Sequence, residues 1–554
     1  MINMSQNNQS SKQISKINCG LRDRVIFFIC LVSNFWTLLA SESRFQTFEG
    51  LYLIIIPHLC STKTNDMKQI ISTILGATMM TVSMAQQQLQ LTLSQTINIA
   101  QQRSLNAVAA QHTLESAYWT YHYYEASYKP SVTLSTSPRF NRGIERVIQP
   151  DGTNSFVHVS QVSSEVSLQI SQNIPLTGGS FFINSSLLRD DQIEGDGFTS
   201  YRSQPITIGY QQSLLGYNEM KWNCRIEPLR WQEAKKRYNE TMELVASQAS
   251  NFFFALAEAQ TDVEIAQSNL ASADTLCHMA EGRYNIGTIT ENEMLQLKLN
   301  KLREETNLLD ANAALQEAAE NLRNYLDLPT TTQLSVLPDD SIPQIEVPLL
   351  EALELAMQNS PDPDSFKRQQ IESRQHLAYT KASTGLKADL YLQFGLSQTG
   401  QDLRGAYHDP TDMQYASVSV SIPILDWGKD KGRRRVAQSN VDLADIHAEQ
   451  GMKNFEQNVK KMVQQFNLQS HRVAVASQAN KTAERRYDVA RRLYVMGKST
   501  ILDLNSAISE KDASHRSYIL SLSTFWSLYY GIRSMTGYDF ARNIPITWQL
   551  PNNL

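Results

Sequence analysis

Two short stretches of the sequence share one pattern: residues 283–290 read Arg-Tyr-Asn-Ile-Gly-Thr-Ile-Thr, and residues 493–500 read Leu-Tyr-Val-Met-Gly-Lys-Ser-Thr. In both, a tyrosine stands three residues before a glycine and a threonine stands three residues after it. Gly287 and Gly497 are therefore equivalent positions, separated by 210 residues. A glycine between two periodic segments predicts the turn of a helical hairpin. The chain is thus expected to contain two copies of one hairpin.

The segments before both turns carry a coiled-coil repeat. Apolar residues within 238–284 recur at alternating steps of four and three, and the same steps run through 455–494 with two polar exceptions. This period is typical of long helices that pack against one another. Proline, which breaks a helix interior at about 3 kcal/mol, does not occur in residues 229–328 or 424–544. The predicted helices cover approximately residues 219–284, 290–326 and 500–535.

Shorter segments alternate polar and apolar residues, which is the pattern of strands with two different faces. Their polar residues are mostly Ser, Thr and Gln, as in a membrane barrel whose apolar face meets lipid. Each chain would supply only a few strands, and a sheet edge cannot stay open to lipid, so the barrel must close by oligomerisation. The predicted strands include residues 131–135, 166–170, 182–185, 206–210, 390–396 and 418–422. The polar stretches 141–154 and 400–412 are predicted to be loops.

The two halves also begin alike, with helix-forming segments at residues 93–100 and 349–356. This symmetry sets the expected organisation of the chain. The predicted units are a first repeat at 86–330, a linker at 331–348, a second repeat at 349–540 and a tail at 541–554.

The amino-terminal residues are predicted to be removed. A charged start, an uncharged apolar run and small residues before the cut indicate a secretory signal peptide at 67–85, cleaved between Ala85 and Gln86. Residues 1–66 are then an upstream extension outside the mature protein. The alternative is that this extension is real and that its apolar run at 25–40 is an earlier export signal.

From residue 91 to about residue 539 the chain resembles the TolC family of outer-membrane efflux proteins, the outer membrane factors. The hairpin turns carry the resemblance together with residues 174–176, 209–218 and 422–428, of which the first and last look like the family's passages from strand to helix. The resemblance implies a mainly α protein with membrane β structure. Three chains would form an outer-membrane β-barrel continued by a long α-helical coiled-coil barrel, with two repeats per chain. The first half has more candidate strands than the family's two, which leaves room for an extra outer hairpin near 162–188.

The resemblance also implies a function and a set of partners. The protein would be the outer-membrane exit channel of a tripartite efflux or secretion system that passively conducts small molecules. It would lie in the outer membrane of a Gram-negative bacterium and extend into the periplasm. Its partners would be two further copies in a homotrimer, a periplasmic adaptor protein, an inner-membrane pump and outer-membrane lipid.

By position, the resemblance places adaptor contacts at the hairpin tips and one acidic ring at the periplasmic gate. A second ring is doubtful, because Ser506 stands where some family members carry another acid. Two simpler roles stay open: an acid in a first helical turn favours the helix dipole by about 0.3–1 kcal/mol, and a tip glycine can be a C-cap with positive φ. The tip residues are Tyr284, Gly287, Thr290, Tyr494, Gly497 and Thr500, and the ring residues are Glu293 and Asp503.

Other classes of function find little support in the sequence. The formal net charge of −5 is unlike that of a nucleic-acid binder. No His-Glu-x-x-His motif, phosphate loop or Gly-x-Ser-x-Gly elbow indicates an enzyme, and no cofactor is expected. The main alternative is a structural coiled-coil surface protein without a pore, which would have no alternating strands. A periplasmic adaptor is disfavoured because adaptors normally carry a single helical hairpin.

Overall fold

Two long helical hairpins dominate the computed structural model, which describes residues 88–193, 197–338 and 341–547. The first helix of each hairpin, α3 at Glu219–Asn285 or α7 at Lys429–Val495, has 67 residues, which corresponds to a length of about 100 Å. The predicted helix bounds are confirmed to within one residue. The described helices are α1 Leu93–Arg103, α2 Leu105–Ala126, α3 Glu219–Asn285, α4 Glu291–Tyr325, α5 Leu349–Asn359, α6 Asp362–Ser383, α7 Lys429–Val495 and α8 Ile501–Thr536.

Six strands form one antiparallel sheet in the order β2-β3-β4-β5-β7-β8. The first half of the chain supplies four of these strands and the second half two, so the extra hairpin near 162–188 is confirmed: β3 and β4 pair over that region. The described strands are β1 Gln88–Thr92, β2 Ser131–Ile148, β3 Asn154–Ile174, β4 Gly179–Gln192, β5 Phe198–Ser213, β6 Gln333–Leu337, β7 Lys387–Gly400, β8 Thr411–Ser421, β9 Tyr538–Asp539 and β10 Ile544–Pro545.

The prediction of a loop at 141–154 is wrong. Strand β2 continues to Ile148, with Asn141 paired to Gln161, and the connection to β3 takes only residues 149–153. The stretch is polar in composition, but Ile144 and Ile148 keep the two-residue alternation that a strand needs. The loop predicted at 400–412 is close to the observed connection, which contains a short 3₁₀ turn at Gly405–Tyr407.

The prediction that residues 174–176 connect a strand to a helix is also wrong. This segment leads into β4 through a turn in which Gly178 has a φ of 75°. The first half enters its long helix one hairpin later, after β5. There the side chain of Asn218 accepts a hydrogen bond from the Lys221 N–H at 3.0 Å and donates one to the Pro175 carbonyl at 2.9 Å. The passage predicted at 422–428 does connect a strand, β8, to a helix, α7.

The main core lies where the long helices meet α1, α5 and the small parallel sheet of β1 and β6. Its largest fully buried side chains include Phe253 and Phe254 on α3, Phe466 on α7 and Phe525 on α8. Phe466 and Phe525 lie 5.3 Å apart between ring centroids, which joins the two helices of the second hairpin. No helix in the described ranges combines the length and the apolar character needed to cross a membrane. The predicted signal peptide, its cleavage site and the upstream extension lie outside the described residues.

Candidate functional site

Both hairpin turns have the same backbone. Gly287 and Gly497 have φ angles of 74° and 71°, a region that glycine adopts without the strain imposed by a Cβ. The N–H of each glycine donates to the carbonyl of the tyrosine three residues earlier at 2.9 Å, so Tyr284 and Tyr494 have equivalent positions. The helices α3 and α7 thus end in glycine C-caps, as one of the two simpler roles predicts.

The predicted acids close reciprocal capping boxes at the start of α4 and α8. Glu293 accepts the Thr290 backbone N–H at 2.9 Å, while its own N–H donates to the Thr290 hydroxyl at 3.3 Å. Asp503 and Thr500 make the same two contacts at 3.2 Å each. Each box satisfies two N–H groups that a helix start leaves without partners.

The second capping box holds its acid more tightly than the first. The carboxylate of Asp503 also accepts the Thr500 hydroxyl at 2.7 Å and the Ser499 hydroxyl at 3.1 Å. The Thr500 hydroxyl, the Thr500 N–H and the Ser499 hydroxyl, in that order, lower the pKa of Asp503 from its ordinary value. In the first tip Ile289 stands in place of Ser499, so this additional donor is missing. Asp503 is therefore ionised throughout the neutral pH range.

A cleft between the two tips brings the predicted residues of both repeats together. It has a volume of about 550 Å³, and Glu293 lines it from the first hairpin while Tyr494, Gly497 and Thr500 line it from the second. Beneath it lies a small buried cluster of Leu276, Ala280, Leu297 and Leu504. Tyr494 packs against this cluster, and burial raises the pKa of its hydroxyl.

The outer surface of the tips is apolar. Ile286 is 74 % exposed and Leu502 is 72 % exposed, and Met496 lies exposed beside the second turn. Tyr284 is also exposed, in contrast to its equivalent Tyr494. Exposed apolar side chains at the end of a long element indicate a protein contact surface.

The six-stranded sheet has one apolar and one polar face. Leu134 and Leu168 pair across β2 and β3 on the same face, and Leu134 is 71 % exposed while Val418 on β8 is 61 % exposed. Residues one position along point to the opposite face, where Ser135 pairs with Ser167. An exposed apolar face backed by a polar one is the arrangement of a membrane barrel.

A buried ionic cluster that sequence patterns do not predict ties the two repeats together. Arg533 on α8 donates to the Glu243 carboxylate on α3 at 2.8 Å and to Asp539 at 2.9 Å, and Tyr529 donates to Asp539 at 2.7 Å. Burial lowers the pKa of Arg533, but the interactions with Glu243 and Tyr529 together outweigh burial and raise the pKa above its ordinary value. We call these four residues the belt network. The sequence signal that could have found it is Glu243, an acid flanked by the apolar repeat of α3.

The described residues contain no group of three or more metal-ligating side chains placed to hold an ion. The candidate site consists of the tips, the cleft between them and the two faces of the sheet.

Comparisons with known proteins agree with this architecture. The model of the outer membrane efflux protein family matches residues 158–327 and 352–520, which is more than half of the chain and one segment in each half. A search of the curated proteins found no match.

Three solved structures illustrate the similarity in fold. The CmeC outer membrane channel of Campylobacter jejuni is 13 % identical, with a TM-score of 0.60, over 83 % of this chain and 88 % of CmeC. The outer membrane protein VceC of Vibrio cholerae is 15 % identical, with a TM-score of 0.57, over 81 % of this chain and 96 % of VceC. The MtrE outer membrane channel of Neisseria gonorrhoeae, solved in its open state, is 13 % identical with a TM-score of 0.53 over 81 % of this chain and 90 % of MtrE.

Proposed function

The chain belongs to the outer membrane efflux protein family and is an outer-membrane efflux channel of a tripartite system, and on that premise we propose how its parts perform the transport. Three copies form a homotrimer whose sheets line a passage through the outer membrane of a Gram-negative bacterium. The helical hairpins continue this passage into the periplasm. The channel conducts small molecules passively, because the energy comes from an inner-membrane pump.

The observation that carries this proposal is the sheet with an exposed apolar face that continues into two hairpins of about 100 Å. One chain leaves the apolar side chains of both edge strands uncovered, with Leu134 and Val418 more than half exposed. Lipid would cover such a face, and only a closed sheet is stable in lipid. A structural coiled coil without a pore would need neither the sheet nor its polar inner face.

The tips are proposed to meet a periplasmic adaptor protein that links the channel to the pump. Ile286, Met496 and Leu502 supply an exposed apolar surface, and the cleft beside Gly497 can receive a protruding side chain from the adaptor. Tyr284, Gly287 and Thr290 complete this surface on the first hairpin, and Tyr494 and Thr500 on the second. Rigid caps on both turns present the contact residues in a fixed conformation, which reduces the entropy cost of binding.

Glu293 and Asp503 are proposed to form the acidic ring of the gate, with six carboxylates in the trimer. Both side chains are exposed, and both carboxylates are held at helix starts by their capping boxes. A ring of fixed negative charges attracts cations and is blocked by multivalent ones. The capping role and the gating role use the same carboxylates and do not exclude each other.

Reconstitution of the purified chain in a planar bilayer tests the function. We expect discrete ion conductance and, in detergent, a native mass of three chains. A protein that stays monomeric and soluble without detergent, or a trimer without conductance, would contradict the proposal and favour the structural coiled coil.

The acidic ring is tested separately with Glu293→Gln combined with Asp503→Asn, which removes the charges and retains groups that can still accept capping hydrogen bonds. Block of the channel by a trivalent cation is expected to weaken at least tenfold, because the attraction depends on fixed charge. Glu291→Gln, which removes an exposed acid from the same helical turn as Glu293, is the matched control and should leave the block unchanged. Equal block in the double variant and the wild type would remove Glu293 and Asp503 from the gate.

A further inference from the structure

The two outer strands of the sheet are unpaired on one side. Strand β2 pairs only with β3, and β8 pairs only with β7, in the part of the chain that the structure describes. A free edge presents a row of backbone N–H and C=O groups. Lipid offers these groups no partner, so the edges of a membrane sheet must find other strands.

A single chain cannot satisfy its own edges. The smallest closed membrane barrels have about eight strands, and this sheet has six. The edges must therefore meet those of other copies of the chain. Every neighbouring pair in the sheet is antiparallel, and with an even number of strands β2 and β8 run in opposite directions. Strand β8 of one copy can thus add to β2 of the next copy without breaking the antiparallel order.

The two edge strands also match in their position relative to the helical end of the sheet and in which of their side chains lie on its apolar face. Strand β2 begins shortly after α2 ends, and β8 ends shortly before α7 begins, so the start of β2 and the end of β8 both lie at the helical end of the sheet. Near the helical end of both strands, even-numbered residues are apolar and exposed: Val132 and Leu134 on β2, and Val418 and Val420 on β8. The odd-numbered residues, such as Ser135 and Ser417, face the polar side. Since β8 has 11 residues and β2 has 18, pairing would leave the outer part of β2 beyond the joint.

The extra hairpin belongs to the wall of the sheet. Strand β4 is hydrogen-bonded to β3 along one side and to β5 along the other, and β5 is in turn bonded to β7. A hairpin of β3 and β4 folded into the passage would instead leave β2 in direct contact with β5. All six strands therefore contribute to the circumference.

We propose that three copies join β8 to β2 and close a barrel of eighteen strands, a structure that rests on the homotrimer of the proposed function. With strands about 4.8 Å apart and tilted by about 40°, its backbone diameter is about 36 Å. Two strands from each half would give twelve strands and about 24 Å by the same geometry. The enlarged barrel is a wide aqueous channel, so the narrow part of the passage lies at the hairpin tips.

Disulfide trapping tests the joint. With all native cysteines replaced by serine, Ser135→Cys on β2 is combined in turn with cysteine at each odd-numbered residue of β8 from Thr411 to Ser421, which covers every register. Facing residues of neighbouring strands have Cβ atoms about 4.5–5.5 Å apart, within reach of a disulfide after small adjustment. Oxidised trimers with a matching pair should run as covalent trimers in denaturing gels and return to monomers on reduction.

An internal control shows that oxidation works. Ser131 and Ser171 face each other across β2 and β3 with their hydroxyl oxygens 2.7 Å apart, so Ser131→Cys with Ser171→Cys should form a disulfide within one chain and no covalent oligomer. Electron cryomicroscopy of the trapped trimer should then count eighteen strands.

Three results would overturn the proposal. In the first, the control pair oxidises but no position on β8 links the chains, although native mass and conductance still show a working trimer; this would leave the proposed function standing. In the second, the trapped trimer has fewer than eighteen strands. In the third, Ser135→Cys links to β8 within one chain and the native mass is that of a monomer, which would refute both the barrel and the homotrimer.

Discussion

The belt, meaning the main core together with the belt network, is stabilised by different interactions from those at the tips of the helical hairpins. At the belt, large aromatic side chains such as Phe253 and Phe525 are fully buried, and Arg533 and Glu243 join the two repeats inside the protein. At the tips, a cluster of only four buried residues lies beneath an open cleft. The caps there are local, since each is made by residues no more than a few positions apart.

Under the proposed function, this difference places the residues that stabilise the fold at the belt and the residues that would gate the channel at the tips. Burial supplies most of the free energy of folding, so the belt holds the hairpins together while the tips can shift without unfolding the protein. Regions with few buried contacts are the ones that move at low cost. If an adaptor binds the tips as proposed above, a modest difference in its affinity for the two arrangements is enough to favour the open one. The predictions below change the belt and the tips separately, in order of decreasing effect on stability.

The largest effect is expected from Glu243→Gln in the belt. It removes one of the two carboxylates that neutralise Arg533, whose side chain is only 17 % exposed. Loss of one partner from a buried ion pair costs about 3–5 kcal/mol, so the midpoint of thermal unfolding in detergent should fall steeply.

Glu240→Gln is the matched control for this belt variant. Glu240 lies one helical turn earlier and pairs with Arg237 at 3.0 Å in a more accessible position, where an ion pair contributes about 0–1 kcal/mol. Equal midpoints for the two variants would mean that the belt does not hold the repeats together.

The next effect is expected from a bulky residue at a tip glycine. Gly497→Val places a branched Cβ at a φ of 71°, at a cost of about 1–2 kcal/mol. A Cβ at this position would meet nothing within 4 Å, so the cost lies in the backbone alone. Export should be lost while trimers still assemble in the membrane, measured by drug susceptibility and by native gels.

Two further variants sharpen this test of the turn. Gly497→Asn should retain most of the export, since asparagine tolerates the left-handed conformation better than valine. Gly287→Val tests the equivalent turn of the first hairpin, which also has open space around the glycine. Normal export in Gly497→Val would remove this turn from the adaptor contact.

A smaller effect is expected from the capping hydroxyls. Thr500→Ala removes the hydroxyl that accepts the Asp503 N–H, and loss of such a cap costs about 1 kcal/mol. Hydrogen exchange in the first turn of α8 should rise several-fold, while exchange at the belt stays unchanged. Thr500→Ser keeps a hydroxyl and should behave like the wild type. Faster exchange at the belt as well would show that the tips and the belt unfold together.

The sequence predicts the tips better than the belt, for a physical reason. The turn glycines and capping boxes depend on residues three positions apart, as Thr290 and Glu293 are, so a short motif contains the whole interaction. Glu243 and Arg533 lie 290 positions apart. Their pairing depends on how the repeats pack, which no local pattern records.

The sheet also shows that sequence patterns fail where a structure depends on pairing between separate segments of the chain. Alternation predicts the strands, because each strand's own residues divide between two faces. The polar composition of 141–154 predicts a loop, but residues 141–148 form part of β2 because they pair with β3. Residues 174–176 look like a strand-to-helix passage, yet they lead into β4, because the hairpin that follows is part of the same sheet.

The smallest effect is expected in the pH dependence of the stability that the Asp503 cap contributes at the second tip. Donors from Thr500 and Ser499 lower the pKa of Asp503, so its ionised form stabilises the folded state at every pH above the unfolded pKa of about 4. That contribution is lost as the pH falls through the lower, folded pKa. The unfolding midpoint of the wild type should therefore exceed that of Asp503→Asn equally at about pH 7 and about pH 5, and the difference should shrink below about pH 4. Ser499→Ala should move this loss to higher pH, because it removes one of the donors. A difference that already disappears near pH 5, or that persists unchanged near pH 3, would mean that the Asp503 carboxylate does not cap α8 in the assembled channel.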